Sequence, residues 1–149
     1  MHNQADRAGG EVIPVCDSIE AKKKYLRRYL EAQRDIDRIM EEIESAKVSF
    51  LRAQSLDGMP HGSGENTADL SNVMVKLSEL GAELDVELSR LYGIRREIRK
   101  RLNRMTNEAE RNVLFYRYII GHRWEDIAER MQYDLRRVYQ IHGSALQHF

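Results

Sequence analysis

Leu70, Leu77, Leu84, Leu91, Ile98 and Met105 stand seven residues apart through six successive positions. A repeat of that period holds one apolar edge along an α-helix, so this stretch can satisfy its apolar residues only as a long helix with a seam. The companion seam position drifts through Val73 and Met74, Leu80, Leu88, Ile94 and Leu102, and Gly81 sits inside the helix. A glycine there costs about 1 kcal/mol relative to alanine. Thr67 or Asp69 can cap the start, which predicts a helix over 67–105.

A second rod precedes it. From Ile19 to Gln54 there is neither Pro nor Gly, and Leu26, Tyr29, Leu30, Ile36, Ile39, Met40, Ile43 and Phe50 recur at helical spacing. The pattern predicts a helix over 19–54 with one apolar stripe on a charged surface. Between the rods, residues 55–66 (SLDGMPHGSGEN) hold three Gly and one Pro and read as a connector. Two such rods joined there fold back as an antiparallel coiled-coil hairpin. Two helices alone leave the flanks of each stripe wet, so the hairpin is expected to pack on a second copy or on the C-terminal segment as well, and a homodimer is expected. Residues 1–18, which include the lone Cys16, lack a sustained apolar period and read as a flexible tail.

The character changes after Met105. Asn107 opens a short helical pattern with Val113, Leu114, Tyr118 and Ile119 facing inward, and Gly121 ends it as a left-handed cap. Trp124 to Met131 forms the next pattern, with Glu125 and Asp126 in its first turn and Ile127, Ala128 and Met131 as its core face. Gln132 and Tyr133 make a turn, and Asp134 caps a last helix with Val138, Ile141, Ala145 and Leu146 on one face. The organisation is therefore all-α: the hairpin over 19–105, then a helix-turn-helix over 106–149. Trp124 is expected to fill the seam between the first two helices of that unit.

A helix that enters the major groove needs a short partner across a turn, a small residue where the two meet, and long polar side chains near its N-terminus. Ala128 is the small residue. Arg136, Arg137 and Gln140 are left outside by the Val138, Ile141, Ala145 period, with Tyr139, Gly143 and Ser144 beside them. Arg suits guanine edges or phosphate, and Gln suits adenine. These residues and Arg123 are the candidate contacts to double-stranded DNA.

On those residues the stretch ERNVLFYRYIIGHRWEDIAERMQYDLRRVYQIHGSALQHF, residues 110–149, resembles region 4 of bacterial sigma factors and the sigma-70 region 4-like domains of phage transcriptional regulators. The points of likeness are Glu110-Arg111, Arg117-Tyr118 before Gly121, Glu125-Asp126-Ile127-Ala128, Arg137-Val138, Gln140-Ile141 and Ala145-Leu146. With the KKKYLRRYL start and the DGMPHGSG connector, nearly the whole chain looks like a phage and prophage family of Gram-positive bacteria grouped with the ArpU and RinA type late-gene activators. The resemblance implies sequence-specific DNA binding, control of phage transcription and contact with RNA polymerase. Arg123 and Asp134 depart from it, standing where the sigma pattern has Ser or Thr caps.

Charge shapes this expectation. The chain is neutral overall, and residues 106–149 set six arginines against six carboxylates. Phosphate contacts supply most non-specific affinity for DNA, so cations must come from elsewhere. Lys22, Lys23, Lys24, Arg27 and Arg28 form one cluster, and Arg95, Arg96, Arg99, Lys100, Arg101 and Arg104 form another with only Glu97 among them. Folding back near Pro60 puts residue 25 opposite about residue 96, which predicts a basic collar of auxiliary phosphate contacts at the root of the hairpin. The competing expectation is that these cations pair with nearby carboxylates on solvated rods.

Other classes find little footing. There is no G-x-x-x-x-G-K loop, G-x-S-x-G elbow or H-E-x-x-H, so the chain is expected not to be an enzyme. His2, His61, His122, His142 and His148 lack metal-ligand spacing, and neither a metal nor a cofactor is expected. No apolar run approaches the roughly 18 residues that span a bilayer. With no secretory apolar stretch and one Cys, the expected setting is the cytoplasm of a bacterial host. Two alternatives stand beside the regulator: a DNA-packaging adaptor of the small-terminase kind, and a coiled-coil interaction protein that contacts RNA polymerase without reading DNA.

Overall fold

The computed structural model describes the backbone of residues 18–56 and 65–149, with side chains over 18–55 and 69–149. The expectations for the tail with Cys16 and His2, and for the connector over 57–64 with His61, lie outside the described residues. Everything described is helix or turn, without a strand. No described helix is long and apolar enough to cross a membrane.

Two 38-residue helices, α1 (Ile19–Leu56) and α2 (Glu65–Leu102), lie against each other as an antiparallel hairpin. Along α1 the inward positions are Tyr25, Tyr29, Ala32, Ile36, Ile39, Ile43, Ala46 and Phe50, spaced alternately four and three. Two alanines belong to this seam because they let the partner helix approach. Met40 does not belong: it follows Ile39 by one residue, turns about 100° away, and is 52% exposed. On α2 the ambiguity at Val73 and Met74 resolves the same way, with Val73 half-buried and Met74 outside.

The ends differ from expectation for local reasons. α2 begins at Glu65, directly after Gly64, so neither Thr67 nor Asp69 is its cap. It stops at Leu102 rather than 105, because Arg104 and Met105 donate their N–H groups to Arg101 and Leu102 in a tightened last turn. That turn still folds Met105 into the core, at 7% exposure.

Three further helices follow: α3 (Glu108–Phe115), α4 (Trp124–Met131) and α5 (Leu135–His148). Asn107 caps α3 by accepting the Glu110 N–H at 3.3 Å. The chain leaves α3 through a π-helical turn over Tyr116–Ile120 that the sequence pattern does not reveal. Gly121 ends it at φ +82°, a conformation that favours glycine, and a Cβ there would stand 3.3 Å from the Leu30 side chain of α1, so the hairpin approaches closely at this point.

The apolar interior has two parts. The smaller one lies within the C-terminal unit: Val113, Ile127, Ala128, Val138 and Ile141. The larger one joins the unit to the hairpin, combining Tyr25, Leu26 and Tyr29 of α1, Ile94, Ile98 and Leu102 of α2, Leu114 of α3, Tyr118 and Ile119 of the π-helical turn, and Ala145 and Leu146 of α5. Further out, Ile43, Phe50, Leu70, Leu77 and Leu84 remain half-exposed. The shared interior makes hairpin root and C-terminal unit one cooperative body. Leu26→Ala, a fully buried site, is expected to lose about 2–5 kcal/mol. Far-UV circular dichroism and fluorescence of the single Trp124 should then fall together at the lower midpoint, and a Trp124 transition left in place would refute the shared interior. Phe50→Ala should cost less.

Candidate nucleic-acid interface

α4 and α5 meet across a three-residue turn. Gln132 takes the left-handed conformation at φ 55°, while the Gln132 and Tyr133 N–H groups donate to Glu129 and Ala128 carbonyls. Asp126 accepts the Arg123 N–H at 3.2 Å, supplying half of a capping box that an arginine side chain cannot complete. Asp134 caps α5, accepting the Arg137 N–H at 2.7 Å.

α5 has two unlike sides. Val138, Ile141, Ala145 and Leu146 are buried, whereas Arg136, Arg137, Gln140, Gly143 and Gln147 are exposed. Among the described residues, the side chains of Arg136, Arg137 and Gln140 have no hydrogen-bond or ion-pair partner. Arg136, Gln140, Gly143 and Gln147 follow one another at helical spacing and form a single outward row. Gly143 has open space where a Cβ would stand. Tyr139 is half on this surface, 47% exposed, with its ring centre 5.1 Å from that of Trp124.

Trp124 packs against the small interior that holds Val113 of α3 and Ile127 of α4, and it reaches further than expected. As the first residue of α4 it also meets α5, packing beside Tyr139 and edge-on to His142 at 4.7 Å, with the Arg117 guanidinium 4.5 Å over its ring.

Ser144 is committed inward. Its hydroxyl donates to Glu110 Oε1 at 2.6 Å, and His148 Nδ1 donates to Glu110 Oε2 at 2.8 Å. Glu110 is a buried carboxylate, 4% exposed. Burial pushes its pKa up, but the bonds from Ser144 and His148 outweigh that and hold it below the ordinary carboxylate range. The Glu110-Arg111 pair was visible in the sequence only as part of the family likeness, because burial of a charge on a charged helix leaves no periodic signal. Arg123 is exposed, with its Nε 3.5 Å from Asp126.

The two basic clusters do share one end, as the back-folding predicts. Glu97 accepts from the Tyr25 hydroxyl at 3.3 Å and from Arg28 at 2.9 Å. Several members, however, serve the protein itself. Lys22 Nζ donates to the Leu146 and Gln147 carbonyls, 2.9 and 3.2 Å away, neutralising the negative end of α5. Lys23 pairs with Glu20, and Arg101 lies over the Tyr25 ring beside Phe149. Lys24 is exposed. The α2 cluster is different: none of Arg95, Arg96, Arg99, Lys100 and Arg104 forms an ion pair among the described residues. Arg95, Arg96, Arg99 and Lys100 line a shallow groove with Tyr92 and Asn103, and the buried Arg95 Nε has no partner. A second depression, lined by Arg99, Asn103, Arg111 and Asn112, continues it to α3.

His142 is neutral and structural. Burial, with the positive charges of Lys23, Arg117 and Arg27, lowers its pKa to about 4. Burial also raises the pKa of Tyr118, so the tyrosine keeps its proton, and its hydroxyl shares a 3.0 Å hydrogen bond with His142 Nε2. No family model matches this chain, and no curated protein or solved structure matches it either.

Acid should weaken the C-terminal unit in a defined window. An unfolded histidine binds a proton below about pH 6.5, whereas folded His142 resists until about 4, so the unfolded chain gains protons first and stability falls as pH falls between those values. Glu110 adds a further loss below the ordinary carboxylate range, as its lowered folded pKa is passed. His142→Gln, which can still accept from Tyr118, should flatten the dependence of Tm on pH from 6.5 to 4 and leave the lower window unchanged. An undiminished slope would assign the upper window to another group.

Proposed function

We propose that this chain is a DNA-binding regulator of transcription in which α4, the left-handed turn at Gln132 and α5 act as a helix-turn-helix. The observation that carries this is the division of α5: one side is buried in the protein, and the other is an outward row of Arg136, Gln140, Gly143 and Gln147 whose side chains have no partner among the described residues. Arg and Gln one helical turn apart can read guanine and adenine edges in the major groove. Gly143 leaves the helix backbone open on that row, with nothing where a Cβ would stand.

The α2 groove supplies phosphate contacts that the neutral reading unit lacks, and its cations form no ion pair among the described residues. The chain acts as a homodimer in this reading: Met74, Val75, Val86 and Tyr92 expose apolar surface on α2, and the outer hairpin seam is only half-covered. The likeness of residues 110–149 to sigma region 4 favours a phage or prophage regulator that meets RNA polymerase. The assignment is to binding, with no catalytic step.

Selection from a random duplex library by the full chain tests this. Retained duplexes should share a motif, and Arg136→Ala with Gln140→Ala should reduce its preference over random duplex by about 1–3 kcal/mol per lost base contact. The same motif retained with the same preference would overturn the assignment of α5. Replacing Arg95, Arg96, Arg99 and Lys100 with glutamine should instead weaken binding to every duplex and make log K less steep against log salt, by roughly one unit for each lost phosphate contact. An unaltered slope would return these residues to the solvated surface.

A further inference from the structure

We infer that Leu135 and Tyr139 form an apolar contact for the 5-methyl group of thymine, set beside the Arg136 and Gln140 row; this rests on the DNA-reading role of α5. Leu135 is the first residue of α5 and is 37% exposed, and Tyr139 stands one turn further on the same side. Neither belongs to the apolar interior, which is complete without them. Together with Arg136 and Gln140 they line one shallow notch on the helix surface.

The notch thus carries two parallel rows, one apolar and one hydrogen-bonding, at the end of the helix nearest its N-terminus. Trp124 backs the Tyr139 ring, so the ring is held in place rather than free to fold away. The chemistry of the major groove then selects the ligand. Every base pair presents nitrogen and oxygen atoms there, but the thymine methyl is the one apolar group on offer. Phosphates would leave the apolar row uncompensated. The two rows together fit a step in which thymine neighbours a purine that Arg136 or Gln140 reads.

The test uses the duplex selected by the full chain, with each thymine replaced singly by deoxyuridine. That exchange removes one methyl and keeps every hydrogen-bonding group. Affinity should fall about fourfold at one or two positions, the equivalent of roughly 0.8 kcal/mol for a buried methyl, and remain unchanged elsewhere. Leu135→Ala, checked for an unaltered thermal midpoint, should bind the thymine and deoxyuridine duplexes equally at those positions. A selected duplex that stays tightly bound through the whole substitution series would overturn the inference and leave the DNA-reading role intact. A fourfold loss that persists in both Leu135→Ala and Tyr139→Ala would also overturn it, because another side chain would then meet the methyl. Failure to prefer any duplex over random sequence would remove the role itself, and the inference with it.

Discussion

The packing of Leu26, Ile98, Leu114 and Leu146 at the root of the hairpin is the constraint on which the rest depends. These four side chains come from α1, α2, α3 and α5 and are almost fully buried in one interior. Without it, the rods would be a hairpin with a thin seam, and the C-terminal unit would keep only the small cluster around Val113 and Ile127. Burial of a leucine is worth about 1.5–3 kcal/mol, so joining the two parts into one interior is what makes either stable. It also fixes the angle at which α5 is presented: its inner side is held by Ala145 and Leu146 at one end and by Val138 and Ile141 towards the other.

Polar contacts refine that angle. Lys22 reaches from the start of α1 to the last carbonyls of α5, and Gly121 lets the end of the π-helical turn close onto Leu30. Glu110, Ser144 and His148 tie α3 to α5 from the other direction. A buried carboxylate is destabilising unless its lone pairs are filled, and here each oxygen accepts a bond, so Glu110 specifies the pairing of these two helices. The outward row of α5 is therefore held in position by contacts on several sides.

Periodicity made the rods legible. The seven-residue spacing from Leu70 and the unbroken stripe from Ile19 gave both long helices, and turn residues located α3, α4 and α5 to within a few positions. What stayed hidden follows from contacts between distant parts of the chain. No spacing announces that Lys22 will find the end of α5 or that Ser144 will turn inward to a carboxylate 34 residues earlier. Nor does any spacing announce that Trp124, besides packing on Val113 and Ile127, will reach Tyr139 and His142 of α5. The alanines of the α1 seam leave too weak a trace: small residues carry little hydrophobic weight, yet they allow the helices to approach.

Electrostatics completes the argument for where an anion would be met. A neutral chain need not be neutral locally, and what counts is which cations are already matched. On α1 the rods follow the bland expectation, with Arg38 on Asp35 and Lys47 on Glu44 at helical spacing. On α2 the carboxylate within the basic run, Glu97, is held by Tyr25 and Arg28 across the hairpin, so hairpin packing itself draws it away from Lys100, its neighbour one turn along the helix. A surface ion pair is worth little in stability, but withdrawing its acid to the other helix leaves a run of like charges whose mutual repulsion a polyanion would relieve. The fold thereby concentrates on one rod the positive potential that the composition of the C-terminal unit cannot supply.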